Sequence, residues 1–486
     1  MKADLALSKL SGELKLWARH RELRRWIIAL FGALKVTVSP WIRLGFAFDS
    51  DGLRSAELWA ANFSVPQTLL RAQPKMLVLS LLPTVLLALR VAASPAPVVV
   101  RENLISLPLS RKFNLDGSLS FAEQDAKRAR ALKANGHARS SGLSSDAVVS
   151  EPVSNQVVSY IASVGVGSPA TTYDLIVDTG SSNTWVGAGQ AYVKTETSSS
   201  TGQPVSVTYG SGSFSGTEFT DEVTLAPGLV ISKQSIGVAS TSEDFEGVDG
   251  ILGIGPTDLT EGTLTREQTT LIPTVTDNLF SAGTIPSDLV AISFEPTTVE
   301  AVTNGELTFG GTDASKFTGS ITFTPITSTS PASFYWGINE SITYGTTTIL
   351  STTAGIVDTG TTLIYLASNA YSAYVKATGA VLDNNTGLLR ITSAQFAALK
   401  NLNFNIGGVT FTLTPNAQIW PRSLNTAIGG VSNDIYLVVN NLGTPSGEGF
   451  DFINGYTFLE RFYSVFDTGN KRVGFATTPF TTATSN

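Results

Sequence analysis

From about Ser145 to the C-terminus, apolar and polar residues alternate in short runs such as Val205-Ser-Val-Thr-Tyr209, Phe219-Thr-Asp-Glu-Val-Thr-Leu225 and Ser320-Ile-Thr-Phe-Thr324. A period of two puts every second side chain on one face, which is how a half-buried strand reads, and turn residues interrupt these runs at short intervals. The pattern predicts an all-β body with few helices, at Pro273–Ala282, Ser368–Thr378 and Ser393–Leu402. Upstream, Ser120 followed by Glu123 has the spacing of a capping box. It should open a helix through Asp125–Lys133, with Gly136 and the serine-rich run 140–145 expected to end it. Pro325 to Pro331, with its Ser/Thr run, is the natural seam, giving β-rich halves over 147–326 and 327–486.

Two apolar strands end in the same way. Leu175-Ile176-Val177 runs into Asp178-Thr179-Gly180-Ser181, and Gly355-Ile356-Val357 runs into Asp358-Thr359-Gly360-Thr361. The glycine is expected to permit a sharp turn that presents the carboxylate at a strand end. Apolar residues also follow each copy, Trp185-Val186 after one and Leu363-Ile364 after the other, so both loops should be buried. A third Asp-Thr-Gly, Asp467 to Gly469, precedes Asn470-Lys471-Arg472 between two apolar runs and reads as a hairpin turn. Two copies at domain-scale separation suggest a duplicated half-site.

Composition narrows the chemistry. The chain has no cysteine, and its only histidines are His20 and His137. Residues 144–486 therefore cannot build a Ser-His-Asp triad, a Cys-His pair or an imidazole-ligated metal site, and carboxylates are left as the leading acids and bases. The net charge of −7 divides into 21 basic and 10 acidic residues over 1–143, and 11 basic and 29 acidic over 144–486. An acidic body argues against nucleic acid as a partner and suits work at low pH, where self-repulsion fades.

The N-terminal quarter is of a different kind. Four of the seven tryptophans lie in residues 1–75, which are taken as a non-native upstream extension with Met76 as the initiator. Residues 76–93, an apolar stretch ending in Val91-Ala92-Ala93, read as a signal peptide. An internal membrane anchor is the rival reading of that stretch. Residues 94–146 form a basic prosegment expected to lie over an acidic cleft, with Lys127 and Lys133 as the bases that enter it.

The ensemble resembles the pepsin-like aspartic proteases over about 150–486. The residues that carry the resemblance are the two Asp-Thr-Gly loops, Trp185, Tyr209-Gly210-Ser211-Gly212, Asp249-Gly250-Ile251-Leu252-Gly253 and Asp451-Phe452-Ile453-Asn454-Gly455. The resemblance implies a bilobal fold with a cleft, and a secreted, monomeric endopeptidase made as a zymogen. Asp178 and Asp358 would be catalytic. Thr179, Gly180, Ser181, Thr359, Gly360 and Thr361 would support them. Tyr209, Gly210 and Ser211 would form a flap, and Ile176, Ile251 and Ile356 would meet an extended peptide substrate cut between apolar residues. No cofactor or metal is implied, and no membrane or nucleic acid in the mature form. Asn339 and Asn384 begin glycosylation sequons. Two departures stand out: Asn454 sits where the family places an aliphatic residue, and Val248 where vertebrate relatives place an aromatic one, leaving a roomier wall. An inactive peptide-binding descendant and a two-carboxylate glycosidase are the alternatives.

Overall fold

The computed structural model describes residues 104–113, 120–141, 158–209 and 212–485. The upstream extension, the signal peptide, and the flap residues Gly210 and Ser211 lie outside the described residues. Among those described, no helix is long and apolar enough to cross a membrane.

The first half is built from β1 (Ser106–Phe113), β2 (Val158–Val166), β3 (Thr171–Asp178), β4 (Trp185–Val186), β5 (Ser199–Thr208), β6 (Ser213–Ala226), β7 (Leu229–Glu243), β8 (Gly250–Gly253), β9 (Leu289–Ser293), β10 (Val302–Phe309) and β11 (Thr318–Pro325). The second half supplies β12 (Gly337–Tyr344), β13 (Thr347–Val357), β14 (Ile364–Leu366), β15 (Val381–Leu382), β16 (Leu389–Ile391), β17 (Leu402–Ile406), β18 (Val409–Leu413), β19 (Ile435–Leu437), β20 (Val439–Asn441), β21 (Phe452–Asn454), β22 (Phe462–Asp467) and β23 (Arg472–Thr477). One large sheet runs β11-β23-β22-β9-β10-β1-β2-β3-β8-β4-β7-β6-β5, and a second runs β18-β17-β12-β13-β21-β14-β20. The result is the expected bilobal, β-rich architecture. The last two strands return to pair with β9 and β11, so the sheet of the first half holds the end of the chain.

The two halves repeat one device. β3 lies parallel to β8 with Asp178 opposite Gly253, and β13 lies parallel to β21 with Val357 opposite Asn454. Each aspartate thus leaves a strand that is paired on both sides, which fixes its backbone before its side chain is considered. The third Asp-Thr-Gly is a hairpin turn, with Asp467 opposite Arg472 and their side chains paired at 2.7 Å.

Helix α1 spans Phe121–Ser140, and its Ser120/Glu123 capping box is formed. It does not stop at Gly136. A β-carbon there would lie 2.8 Å from Pro331 Cβ, so the glycine serves close packing rather than termination. The helices α2 (Val275–Ser281) and α3 (Ser368–Thr378) match their predicted positions. The third, α4, covers only Ser393–Ala397, because Leu402 already opens a strand that alternates buried and half-buried residues. A short α5 (Tyr456–Leu459) follows β21.

Candidate active site

The ends of β3 and β13 bring Asp178 and Asp358 together at the centre of the molecule, both fully buried. Gly180 N–H donates to Asp178 Oδ1 (2.9 Å) and Ser181 Oγ to Asp178 Oδ2 (2.5 Å). Gly360 N–H donates to Asp358 Oδ1 (3.0 Å) and Thr361 Oγ1 to Asp358 Oδ2 (2.5 Å). Both hydroxyl residues therefore orient a carboxylate and are more than turn formers.

The glycines have a different role from the one their turn chemistry suggests. Neither Gly180 nor Gly360 is among the residues with positive φ. A β-carbon on Gly180 would stand 2.6 Å from Asp358 Oδ1, and one on Gly360 would stand 2.7 Å from Asp178 Oδ1. Each glycine is the room that the opposite carboxylate occupies.

The threonines lock the loops to one another. Thr179 N–H donates to Thr359 Oγ1 (3.0 Å) and Thr359 N–H to Thr179 Oγ1 (2.9 Å). Their hydroxyls then donate across the halves, Thr179 to Val357 O (3.3 Å) and Thr359 to Val177 O (2.9 Å). Trp336 Nε1 adds a bond to Ile254 O (3.1 Å) beside this lattice. All of these groups are buried, so each lost partner would leave a dry, unpaired polar atom.

Arg128 of α1 fills the space between the carboxylates. Its Nη2 donates to Asp178 Oδ1 (2.6 Å) and Asp358 Oδ1 (3.2 Å), and its Nε to Asp358 Oδ2 (3.1 Å). Burial raises the Asp358 carboxyl above the ordinary aspartate range; Arg128 pulls it down, and Asp178 pushes it up. Three residues earlier on the same helix face, the Asp125 carboxylate accepts Thr362 N–H (2.7 Å) and Leu363 N–H (2.8 Å). Lys127 and Lys133 are not in the gap. Lys127 lies one residue, about 100°, away from Arg128 around the helix and is half-exposed. Lys133 reaches Glu448 at 2.9 Å.

The helix is tied to both halves. Arg139 donates to Asp258 O (3.0 Å) and Leu259 O (2.7 Å), and Tyr335 Oη donates to Leu132 O (2.8 Å). A small space of about 40 Å³ beside Gly180 and Ser181 is bordered by Leu132, Tyr209 and Tyr335. A cavity of about 660 Å³ lies elsewhere, around Phe396 and Arg422, and neither of the paired carboxylates lines it. Strand β1 is also built in, between β10 and β2, with Arg111 buried near Glu460 at 3.5 Å.

Tyr209 follows β5 directly and packs in an apolar group with Ile176, Trp185, Val248 and Ile251. Trp185 stacks on Phe214 at 4.3 Å between ring centroids, and Phe245 meets Trp185 edge-on at 4.8 Å. Ile356 instead lies wholly within the main core, opposite Gly337 and Ile453. Phe214, Phe245, Arg128 and Asp125 were not singled out from sequence. The i, i+3 spacing of Asp125 and Arg128 is the only signal that could have paired them. Asn339 and Asn384 are both exposed, and Asn339 Oδ1 accepts Thr327 Oγ1 (3.0 Å).

Two β lobes that each contribute an Asp-Thr-Gly loop to one buried carboxylate pair define a pepsin-like aspartic endopeptidase. A family model described as eukaryotic aspartyl protease matches residues 159–478, and the chain belongs to that family. It is 71% identical to polyporopepsin of Irpex lacteus over 338 residues, 69% of this chain and 99% of the relative. Rhizopuspepsin of Rhizopus chinensis is 33% identical over 80% of this chain and 96% of its own. The crystal structure of the aspartic proteinase from Irpex lacteus superposes with a TM-score of 0.68 at 62% identity, covering 79% of this chain and all of the other.

Proposed function

We propose that this chain is the latent form of a secreted endopeptidase that cuts between apolar residues in acid, with Asp178 and Asp358 activating a water. One observation carries the reading. A single guanidinium nitrogen touches both carboxylates, and each carboxylate has its own glycine N–H and its own hydroxyl. Two acids held so close share a proton rather than ionise together. When Arg128 withdraws, a water can take the position of its nitrogen. The ionised member then takes a proton from that water as it attacks the peptide carbonyl. The protonated member donates to the carbonyl oxygen, and the tetrahedral intermediate collapses with transfer of a proton to the leaving amine.

The apolar group under Tyr209 supplies a wall for a hydrophobic side chain beside the scissile bond, with Ile176 and Ile251 at its base. The hairpin formed by β5 and β6, which carries Tyr209, would close over an extended peptide and exclude water. Residues 94–146 act as the prosegment, and the apolar run 76–93 supports secretion. Latency has a pH sign. Burial raises the Asp358 carboxyl in the closed form and Arg128 pulls it down; a proton on Asp358 removes the charge that Arg128 holds, so falling pH loosens the closed form.

The test is hydrolysis of a quenched peptide with apolar residues on both sides of one bond, before and after exposure of the full chain to acid. Acid exposure should switch activity on, and Asp178→Asn should abolish it. An Asp178→Asn protein with undiminished turnover would end the proposal.

A further inference from the structure

Asn454, the departure from the family pattern, has a partner that sequence did not single out. Its Nδ2 donates to Glu340 Oε2 (2.8 Å), and both residues are fully buried. The remaining two atoms, Glu340 Oε1 and Asn454 Oδ1, are buried without a hydrogen-bond partner. Both are acceptors when Glu340 is ionised, which leaves a charge and an amide oxygen unpaired in the core. A proton on Oε1 removes the charge and turns these two orphans into a donor and an acceptor.

The pair straddles the strand that carries Asp358. Glu340 on β12 lies opposite Thr353 of β13, whereas Asn454 on β21 lies opposite Val357 on the other side of β13. Asn454 O in turn accepts the N–H of Asp358 (3.2 Å), and the next residues hold the same loop through Tyr456 N–H to Thr361 O (2.8 Å). We propose that Glu340 is a positioning residue that keeps its proton while the enzyme works, and that its ionisation at higher pH releases β21 and with it the backbone of Asp358. The proposal rests on the reading of Asp358 as half of the working pair.

Among the described residues, no nearby base opposes this. β13, β17, β18 and β21 carry no ionisable side chain, and β12 and β14 otherwise offer only Tyr344 and Tyr365. Asp451, just before β21, is held by Thr353 Oγ1 (2.5 Å) and Gly447 N–H (2.7 Å), Lys376 of α3 is exposed, and Glu460 after α5 faces Arg111. Burial accordingly raises the Glu340 carboxyl from 4.5 to about 8, against a smaller pull from the Asn454 bond. A carboxyl raised by folding contributes stability that is complete below 4.5 and lost as pH climbs through about 8.

The experiment is Glu340→Gln, because a glutamine amide, like the protonated acid, carries one donor group and one acceptor and no charge. Acid-activated enzyme is held at a series of pH values and then assayed in acid. Activity in acid should stay within about twofold of the parent, while the half-life at about pH 8 lengthens about tenfold or more. Glu218→Gln, at a buried glutamate of the first half that burial raises to about 7, should leave the half-life short. An unchanged half-life for Glu340→Gln, or rescue by Glu218→Gln instead, overturns the proposal. Loss of all peptidase activity in the parent would instead strike the proposed function. Hydrogen exchange on the parent needs no variant: residues 452–459 and 355–363 should lose protection first as pH rises, and earlier opening of the first half refutes it.

Discussion

Arg128 offers the sharpest test of how latency is built. Arg128→Met keeps much of the aliphatic stem but removes the two nitrogens that make three hydrogen bonds to Asp178 and Asp358. Breaking a buried pair from one side costs about 3–5 kcal/mol, because the remaining charge has no partner. Here the two carboxylates can relieve part of that cost by taking up a proton, so the lower end applies, about 3 kcal/mol. That shifts the balance between closed and open forms roughly 100-fold toward open. The assay is peptide hydrolysis by the full chain at about pH 6, without acid pretreatment, alongside gel analysis of prosegment cleavage. Arg128→Met should be active at once where the parent is silent. Arg128→Lys should fall between, since an ammonium keeps the charge but not the fork that reaches both acids. Lys133→Met, which removes the Glu448 pair and a hydrogen bond to Thr444 Oγ1 but nothing at the dyad, should remain latent. If Arg128→Met is as silent as the parent and needs the same acid exposure, the helix is held by its other contacts and the reasoning about Arg128 fails.

Four further outcomes follow from the same geometry. Asp358→Asn should reduce turnover of acid-activated enzyme by about 10²-fold or more, the usual scale for loss of a general acid or base, with the circular dichroism spectrum unchanged. Asp125→Asn would point an amide donor at one of the two N–H groups its carboxylate now accepts, weakening helix docking by about 1–3 kcal/mol and shortening activation time in mild acid. Burial raises Asp125 to about 6, so its own contribution to closure is complete below the ordinary aspartate value and fades as pH rises through about 6; prosegment release measured in the Asp125→Asn variant should lose that component. Thr359→Val removes a donor to Val177 O and the acceptor for Thr179 N–H, and urea titration should show about 1–3 kcal/mol lost. Gly360→Ala should impair turnover even in the mature enzyme, because its β-carbon would press on Asp178 Oδ1 at 2.7 Å.

Sequence alone determined the features that repeat within a few residues. Alternation of the Val205–Tyr209 kind specified strands, the Ser120/Glu123 spacing specified a helix start, and the two Asp-Thr-Gly loops with their apolar flanks identified the paired carboxylates. The exclusion of histidine and cysteine chemistry was likewise complete in the composition, since no fold can add a residue type. Tertiary structure decided everything that depends on a partner distant in the chain. Glycines 180 and 360 are required by the opposite aspartate, some 180 residues away, and not by their own torsions. Arg128 rather than Lys127 fills the gap because the helix meets the cleft at one angle, and a single residue's rotation separates a buried guanidinium from a half-exposed ammonium. Asn454 made sense only once Glu340 lay across the strand from it. Local rules are read from neighbours in sequence, whereas close approach, burial and charge pairing are set by neighbours in space, and those exist only after the chain has folded.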